Sequence, residues 1–180
     1  MGQRTQLVIK ATQKVTGYNG KKDEIKIYSG SYHNQWGFAK MQLKDVINFL
    51  NTYINYGEFE MPKQLHKAFL EEPEYQCRNV SVEGAKEYFN HYADNNDGGV
   101  YLEVYIENGA IQKGALVLFS DPEAMYKEGV NENPEAEPYL TLAQYIRMNP
   151  HYYDKQFYKM FIETLKYHNV KIATSEKDLL

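Results

Sequence analysis

His33 is the strongest candidate for a catalytic group in the sequence. It precedes Asn34 and lies two residues before Gln35, where a predicted strand gives way to a predicted helix. A histidine can act as a general base near neutral pH when a carboxylate orients its ring. Asp94 or Asp97, in a turn-rich segment further along, would supply that carboxylate. This combination predicts a small hydrolase or nucleotide-processing enzyme.

The same stretch also has a purely structural interpretation, which we favour. Trp36, the only tryptophan, and Phe38 would fill the interface between sheet and helix. Gly37 would permit the close approach of the two elements. His33 and Asn34 would then only complete backbone hydrogen bonds, and the protein would lack a catalytic centre at this place.

The sequence predicts neither a metal site nor a cofactor. The turn that begins at Asp94 fails the calcium-loop pattern, because its fifth position is Gly98 and its twelfth is Tyr105. We find no phosphate-binding glycine loop and no His-Glu-x-x-His spacing. Cys77 is the single cysteine, so an internal disulfide is excluded.

Negative charge is concentrated in one segment, residues 121–138. The chain has a net charge of −4 and a pI of about 5.8, which argues against general binding to nucleic acid. The segment carries −5, so the remainder carries +1. Acidic side chains can compete for a groove that a nuclease keeps for nucleic acid, and tyrosines can imitate stacked bases. The predicted partner-binding residues are therefore these acids and the nearby tyrosines: Asp121, Glu123, Tyr126, Glu128, Glu132, Glu135, Glu137 and Tyr139.

Two β-hairpins are predicted from alternating β-formers on either side of Asn-Gly turns. The first joins strands 5–15 and 24–32, and the second joins strands 100–107 and 110–119. In the second hairpin a two-residue turn would set Val104 opposite Lys113 on the apolar side. A β-bulge at Lys113–Gly114 removes this conflict and lets the run Ala115 to Phe119 enter the core.

About five helices are predicted, at 41–56, 62–73, 81–92 and 141–148 and from Pro150 onward, followed by a polar tail. Thr141 and Gln144 form a capping box for the fourth. We therefore expect an α+β fold with an antiparallel sheet covered by helices. Residues 1–180 would form a single domain, with an acidic loop at 121–138 and a C-terminal helical part at 139–180.

The start of the chain lacks the apolar core of a signal peptide, and no apolar run reaches transmembrane length. We therefore expect a cytoplasmic protein without a membrane partner.

Three segments resemble an uncharacterised family of proteins from phages and mobile elements of Gram-positive bacteria. These are Met1 to Leu7, Gln35-Trp36-Gly37-Phe38 and, more weakly, Asn95 to Gly99, so the likeness covers roughly the first 120 residues. The resemblance implies a phage-borne protein in the cytoplasm of the host cell. It brings no catalytic residues.

Small phage proteins of this kind commonly bind and disable host systems, so the leading hypothesis is a non-enzymatic inhibitor. Its expected partner is a host defence protein or ribonucleoprotein, such as a CRISPR or other anti-phage nuclease complex, without direct binding to nucleic acid. An enzyme centred on His33 and a phage structural or assembly protein are the alternatives. The tyrosine-rich last helix also allows a homodimer.

Overall fold

The computed structural model describes residues 5–34, 40–52, 75–79, 99–119, 139–148 and 153–180. Within these residues the fold is α+β, with one mixed sheet and three α-helices. The strands are β1 Thr5–Val15, β2 Glu24–Asn34, β3 Tyr75–Asn79, β4 Gly99–Glu107, β5 Ala110–Phe119 and β6 Val170–Ile172. The helices are α1 Lys40–Thr52, α2 Leu142–Met148 and α3 Lys155–Tyr167, and a 3-10 turn follows at Glu176–Asp178.

The six strands described are ordered β3-β2-β1-β4-β5-β6. Both predicted hairpins are confirmed, β1 with β2 and β4 with β5. The prediction of an antiparallel sheet is wrong, because β1 pairs with β4 in parallel and β5 pairs with β6 in parallel. The two hairpins meet through their first strands, and these run in the same direction. Alternation of apolar residues shows which face of a strand is buried but leaves the direction of its neighbour open.

The turns and the bulge follow from local sequence. Asn19 and Gly20 have φ of 55° and 81°, and Asn108 and Gly109 have φ of 50° and 71°, as a type I′ turn requires. In the second hairpin Ile106 lies opposite Ile111, but Tyr105 lies opposite Lys113.

Gln112 is therefore the extra residue, and the predicted bulge is confirmed one position earlier than expected. As a result Val104 lies opposite Gly114, and the ammonium of Lys113 lies 5.8 Å from the ring centre of Tyr105. The run Ala115 to Phe119 is buried, as predicted.

Helices α1 and α3 cover one face of the sheet and lie side by side in the same direction. Near their starts, Lys40 Nζ is 3.2 Å from Asp154 Oδ2. At their ends, His168 Nε2 lies 3.2 Å from Asn51 Oδ1. The helix predicted at 41–56 is confirmed over residues 40–52, and its buried residues Leu43, Val46, Ile47 and Leu50 lie at the i, i+3, i+4 and i+7 spacing of one helix face.

The other helix predictions have different outcomes. The capping box is confirmed, since Thr141 Oγ1 accepts from Gln144 N–H at 3.2 Å and Gln144 Oε1 accepts from Thr141 N–H at 2.8 Å. The last helix begins at Lys155 rather than at Pro150, because Asp154 caps it by accepting from two backbone N–H groups. The predicted helices at 62–73 and 81–92 lie outside the described residues, so three of the expected five are seen.

The predicted polar tail is partly wrong, and the C-terminal part is not purely helical. Val170–Ile172 adds a strand to the sheet, and the buried Ala173 donates its N–H to Leu116 O at 2.8 Å. Asp178 then folds the chain back by accepting from the N–H groups of Thr174 and Ser175. The sequence did not predict this strand, because Val170-Lys171-Ile172 is too short to show the alternation of apolar and polar residues that is typical of strands.

Candidate functional site

One edge of the sheet brings together the segments that the sequence singled out. A row of mutually opposite residues crosses five strands there: Gln76, His33, Gln6, Gly99 and Phe119. We call this row the site edge. The chain leaves β2 just after His33, enters β4 at Gly99 and leaves β5 at Phe119. The His33 segment, the turn from Asp94 and the acidic segment therefore all join the sheet at the site edge.

His33 lies within β2, which extends two residues beyond the predicted end at Tyr32. Gly99 is two strands away in the same row, so the two backbones are about 10 Å apart at the usual strand spacing. Asp94 and Asp97 shortly precede Gly99 and lie outside the described residues. The topology thus brings His33 and the approach to β4 to one edge, and a contact between His33 and either carboxylate stays a prediction.

The acidic segment begins and ends at nearly the same point of the sheet. Its first anchor is Phe119, the last residue of β5, and its second is the pair Tyr139–Leu140. Leu140 donates its N–H to Leu118 O at 2.8 Å, which ties the returning chain to the end of β5. The six predicted acidic residues and Tyr126 fall between these anchors, in residues 120–138, outside the described part. Tyr139 is the one predicted partner-binding residue that the structure describes.

Tyr139 helps to anchor the segment. Its φ of 83° lies in the left-handed region, which costs a residue with a Cβ about 1–2 kcal/mol. Such a conformation persists where the surrounding packing determines it. Tyr139 is half-buried and packs against an apolar cluster on the sheet face opposite α1 and α3. We call this cluster the second-face cluster; its buried members are Val8, Tyr101, Ala115, Val117, Phe119 and Ala173.

A buried carboxylate beside this cluster ties the end of the chain to the sheet. Glu103 Oε1 lies 3.3 Å from Lys10 Nζ, and Glu103 Oε2 accepts from Leu180 N–H at 3.3 Å. Leu179, the preceding residue, packs on the second-face cluster. Sequence reasoning missed this arrangement. The available signal was Glu103 in the middle of the otherwise apolar and aromatic run from Val100 to Ile106.

Tyr101 lies in the second-face cluster close to Glu103 and Tyr139. Burial raises the pKa of the Tyr101 phenol, and the nearby carboxylate of Glu103 raises it further. Its buried hydroxyl has no hydrogen-bond partner among the described residues. Tyr101 is therefore neutral at physiological pH and contributes mainly through the packing of its ring.

Two further observations concern the described residues alone. No group of three or more His, Cys, Asp or Glu side chains in them is placed to hold a metal ion. None of the helices that they form is both long enough and apolar enough to cross a membrane. In comparisons with known proteins, no family model, curated protein or solved structure matches the chain.

Proposed function

We propose that this protein is a non-enzymatic inhibitor that binds a host anti-phage nuclease complex with its acidic segment. The segment would occupy a Lys- and Arg-lined groove that the nuclease keeps for nucleic acid. The phage context rests on the resemblance at Met1 to Leu7 and Gln35 to Phe38. The observation that supports the proposal is the hydrogen bond from Leu140 N–H to Leu118 O, which joins the residues on the two sides of the acidic segment.

This hydrogen bond matters because it limits how far the acidic residues can extend from the sheet. A fully extended chain of 18 residues would span about 60 Å. A segment of the same length whose two ends lie at one point can reach at most about half that distance from this point. The charge of −5 is therefore held within a limited distance of the site edge. Like charges kept close together create a stronger local potential than the same charges spread along a free chain.

The rest of the chain does not weaken this potential by much, since it carries only +1. A basic groove would attract the acidic segment through long-range electrostatics and would orient the encounter. Such an attraction is screened by salt over about 10 Å at 0.1 M ionic strength. We therefore expect binding to the partner to weaken steeply as salt is added.

The test is a matched pair of charge reversals. One variant carries Glu135→Lys and Glu137→Lys in the acidic segment, and the control carries Glu24→Lys and Glu176→Lys, two exposed acids elsewhere. Both change the net charge by the same amount. Wild type and control should capture nuclease subunits from a Gram-positive host lysate and inhibit the purified complex, and the acidic-segment variant should do neither. Equal binding by the two variants would refute the role of the acidic segment.

An enzyme centred on His33 is the second candidate, because His33 and Gly99 lie in one row of the sheet. It predicts hydrolysis of a nucleoside triphosphate or a phosphodiester by the purified wild type and its loss in His33→Ala. Turnover that is equal in both proteins would rule out this site.

A further inference from the structure

Strand β2 has an outer side that only its second half uses within the described residues. Its inner side pairs with β1 along its whole length. On its outer side β3 pairs with residues 30–34, and no described strand pairs with residues 24–29. We call residues 24–29 the open edge. The backbone N–H and C=O groups of such an edge can pair with a strand of another chain.

The side chains of the open edge favour this kind of pairing. Ile25 and Ile27 lie on one face of the strand and are 55 % and 63 % exposed. Glu24 and Lys26 alternate with them on the other face, and their side chains are 65 % and 38 % exposed. The described strand at the opposite end of the sheet, β6, has only three residues, which is a common protection of an edge. The open edge is longer and carries two exposed isoleucines.

We infer that the open edge binds the open edge of a second copy of this chain in a two-fold, antiparallel pair. A second copy is indicated because the run Glu24-Ile25-Lys26 is complementary to itself when it is reversed. With Ile25 opposite its own copy at the axis, Glu24 lies opposite the partner subunit's Lys26, and symmetry supplies the reverse contact. Opposite charges and apolar side chains that face each other across antiparallel strands stabilise the pairing.

The other symmetric registers fit less well. Each side chain keeps its own face of the joined sheet only if the axis lies between one residue and its copy. An axis at Glu24 or at Lys26 would place two like charges opposite each other, which destabilises the pair. An axis at Ile27 would place the partner subunit's Glu24 opposite Gly30, where β3 already pairs. Charge complementarity and available space therefore select the same register, centred on Ile25.

The charges of the open edge are weakly held in the single chain. Lys26 Nζ lies 3.7 Å from Glu24 Oε2, and both side chains are exposed. Such a pair contributes little to stability, so its members can pair with a second copy at small cost. The contact is also short, since six strand residues span about 20 Å. It should bury less than a standard interface, and we expect a dissociation constant of about 10–100 µM.

Dimerisation of this kind is independent of the proposed function. At the lower concentrations of an inhibition assay the chain would be monomeric. The control variant with Glu24→Lys and Glu176→Lys should therefore inhibit the nuclease complex, although it should dimerise poorly. Loss of dimerisation and loss of inhibition can thus be measured separately.

Sedimentation velocity of the full chain between about 2 and 500 µM tests the dimer. Wild type should pass from monomer to dimer over this range. Ile25→Lys places two like charges at the axis and should weaken dimerisation at least about tenfold. Ile27→Lys is the matched control, because Ile27 is equally exposed but would lie near the partner subunit's Asp23. Wild type that stays monomeric, or two variants that behave alike, would overturn the inference.

Amide hydrogen exchange tests whether the contact is a pairing of strands. Exchange at residues 24–26 should slow as the concentration of wild type rises, and it should stay unchanged in Ile25→Lys. A contact through side chains alone would leave these amides unprotected. Exchange that does not depend on concentration while the protein dimerises would therefore contradict the proposed pairing.

Two further experiments test the register. Glu24→Lys should weaken the dimer, and adding Lys26→Glu to it should restore dimerisation. In a Cys77→Ser background, Ile25→Cys should form a disulfide between copies under mild oxidation, whereas Ile27→Cys should not. A double charge variant no better than Glu24→Lys, or a disulfide that forms equally well at both positions, would show that Ile25 does not lie at the axis.

Discussion

The buried pair Lys10–Glu103 should couple β1 to β4 energetically. The two residues lie opposite each other in the parallel pairing, with side chains 20 % and 7 % exposed and charged atoms 3.3 Å apart. Removing one member of a buried ion pair typically costs about 3–5 kcal/mol. Because Lys10 keeps some contact with water, we expect about 3 kcal/mol for Lys10→Met and a similar cost for Glu103→Gln.

The double variant should lose less than the sum of the two, because no unpaired buried charge is left. We expect a coupling energy of about 1–3 kcal/mol from the double-mutant cycle. Glu103→Gln keeps an oxygen that can accept from Leu180 N–H, so the cycle isolates the ion pair from the anchoring of the C-terminal residues. The assay is urea unfolding followed by far-UV circular dichroism for all four proteins.

The pair Lys14–Glu107 provides an internal control on the same two strands. Its charged atoms are closer, at 2.9 Å, but about a third of each side chain is exposed, 32 % and 31 %. Solvent screening should make its coupling the smaller one despite the shorter distance. A coupling of zero for Lys10–Glu103, or a larger one for Lys14–Glu107, would refute the reasoning and the parallel register behind it.

Three further predictions concern stability. Gly114→Ala should lower the free energy of unfolding by about 1–3 kcal/mol, because the new Cβ would lie 2.9 Å from Val170 Cγ2 and 3.0 Å from Glu103 O. An unchanged midpoint of urea unfolding would contradict this packing. Tyr101→Phe should leave the free energy of unfolding unchanged or raise it, since the buried hydroxyl has no hydrogen-bond partner among the described residues. A clear decrease in the free energy of unfolding would contradict this and would show that the hydroxyl makes a hydrogen bond. The pKa of Asp154 lies below its ordinary value, chiefly because its carboxylate accepts from the N–H of Phe157 and also because the ammonium of Lys40 is near. The stabilisation that Asp154 gives is therefore complete above about pH 4 and is lost as pH falls through the lowered pKa. Melting temperatures between pH 5 and 2.5 should therefore fall more steeply for wild type than for Asp154→Asn, and equal slopes would contradict this.

Local features of the fold could be predicted because a few neighbouring residues determine them. Asn-Gly pairs set both hairpin turns, and the conflict between Val104 and Lys113 required a bulge. The parallel contact of β1 with β4 could not be predicted, because it joins residues as far apart as Lys10 and Glu103. Strand β6 was missed because Val170 and Ile172 pair with Gly114 and Leu116 of β5, which lie far away in the sequence.

For the candidate site, the sequence showed that acidic residues are concentrated in one segment but not which contacts fix the two ends of that segment to the sheet. The acids between Asp121 and Glu137 are visible in the sequence, whereas the closure between Leu118 and Leu140 depends on the position of β5 in the sheet. The anchoring of Leu180 by Glu103 likewise depends on the pairing of β4 with β1. The left-handed backbone of Tyr139 gives no sequence signal, since tyrosine rarely adopts it.

Competition with nucleic acid tests the proposed function most directly. The captured nuclease complex would be assayed for cleavage at several concentrations of its nucleic-acid substrate, with this protein titrated into each. If the acidic segment occupies the substrate groove, the concentration needed for half-inhibition should rise in proportion to substrate once substrate is saturating. A half-inhibiting concentration that does not change with substrate would contradict the proposal.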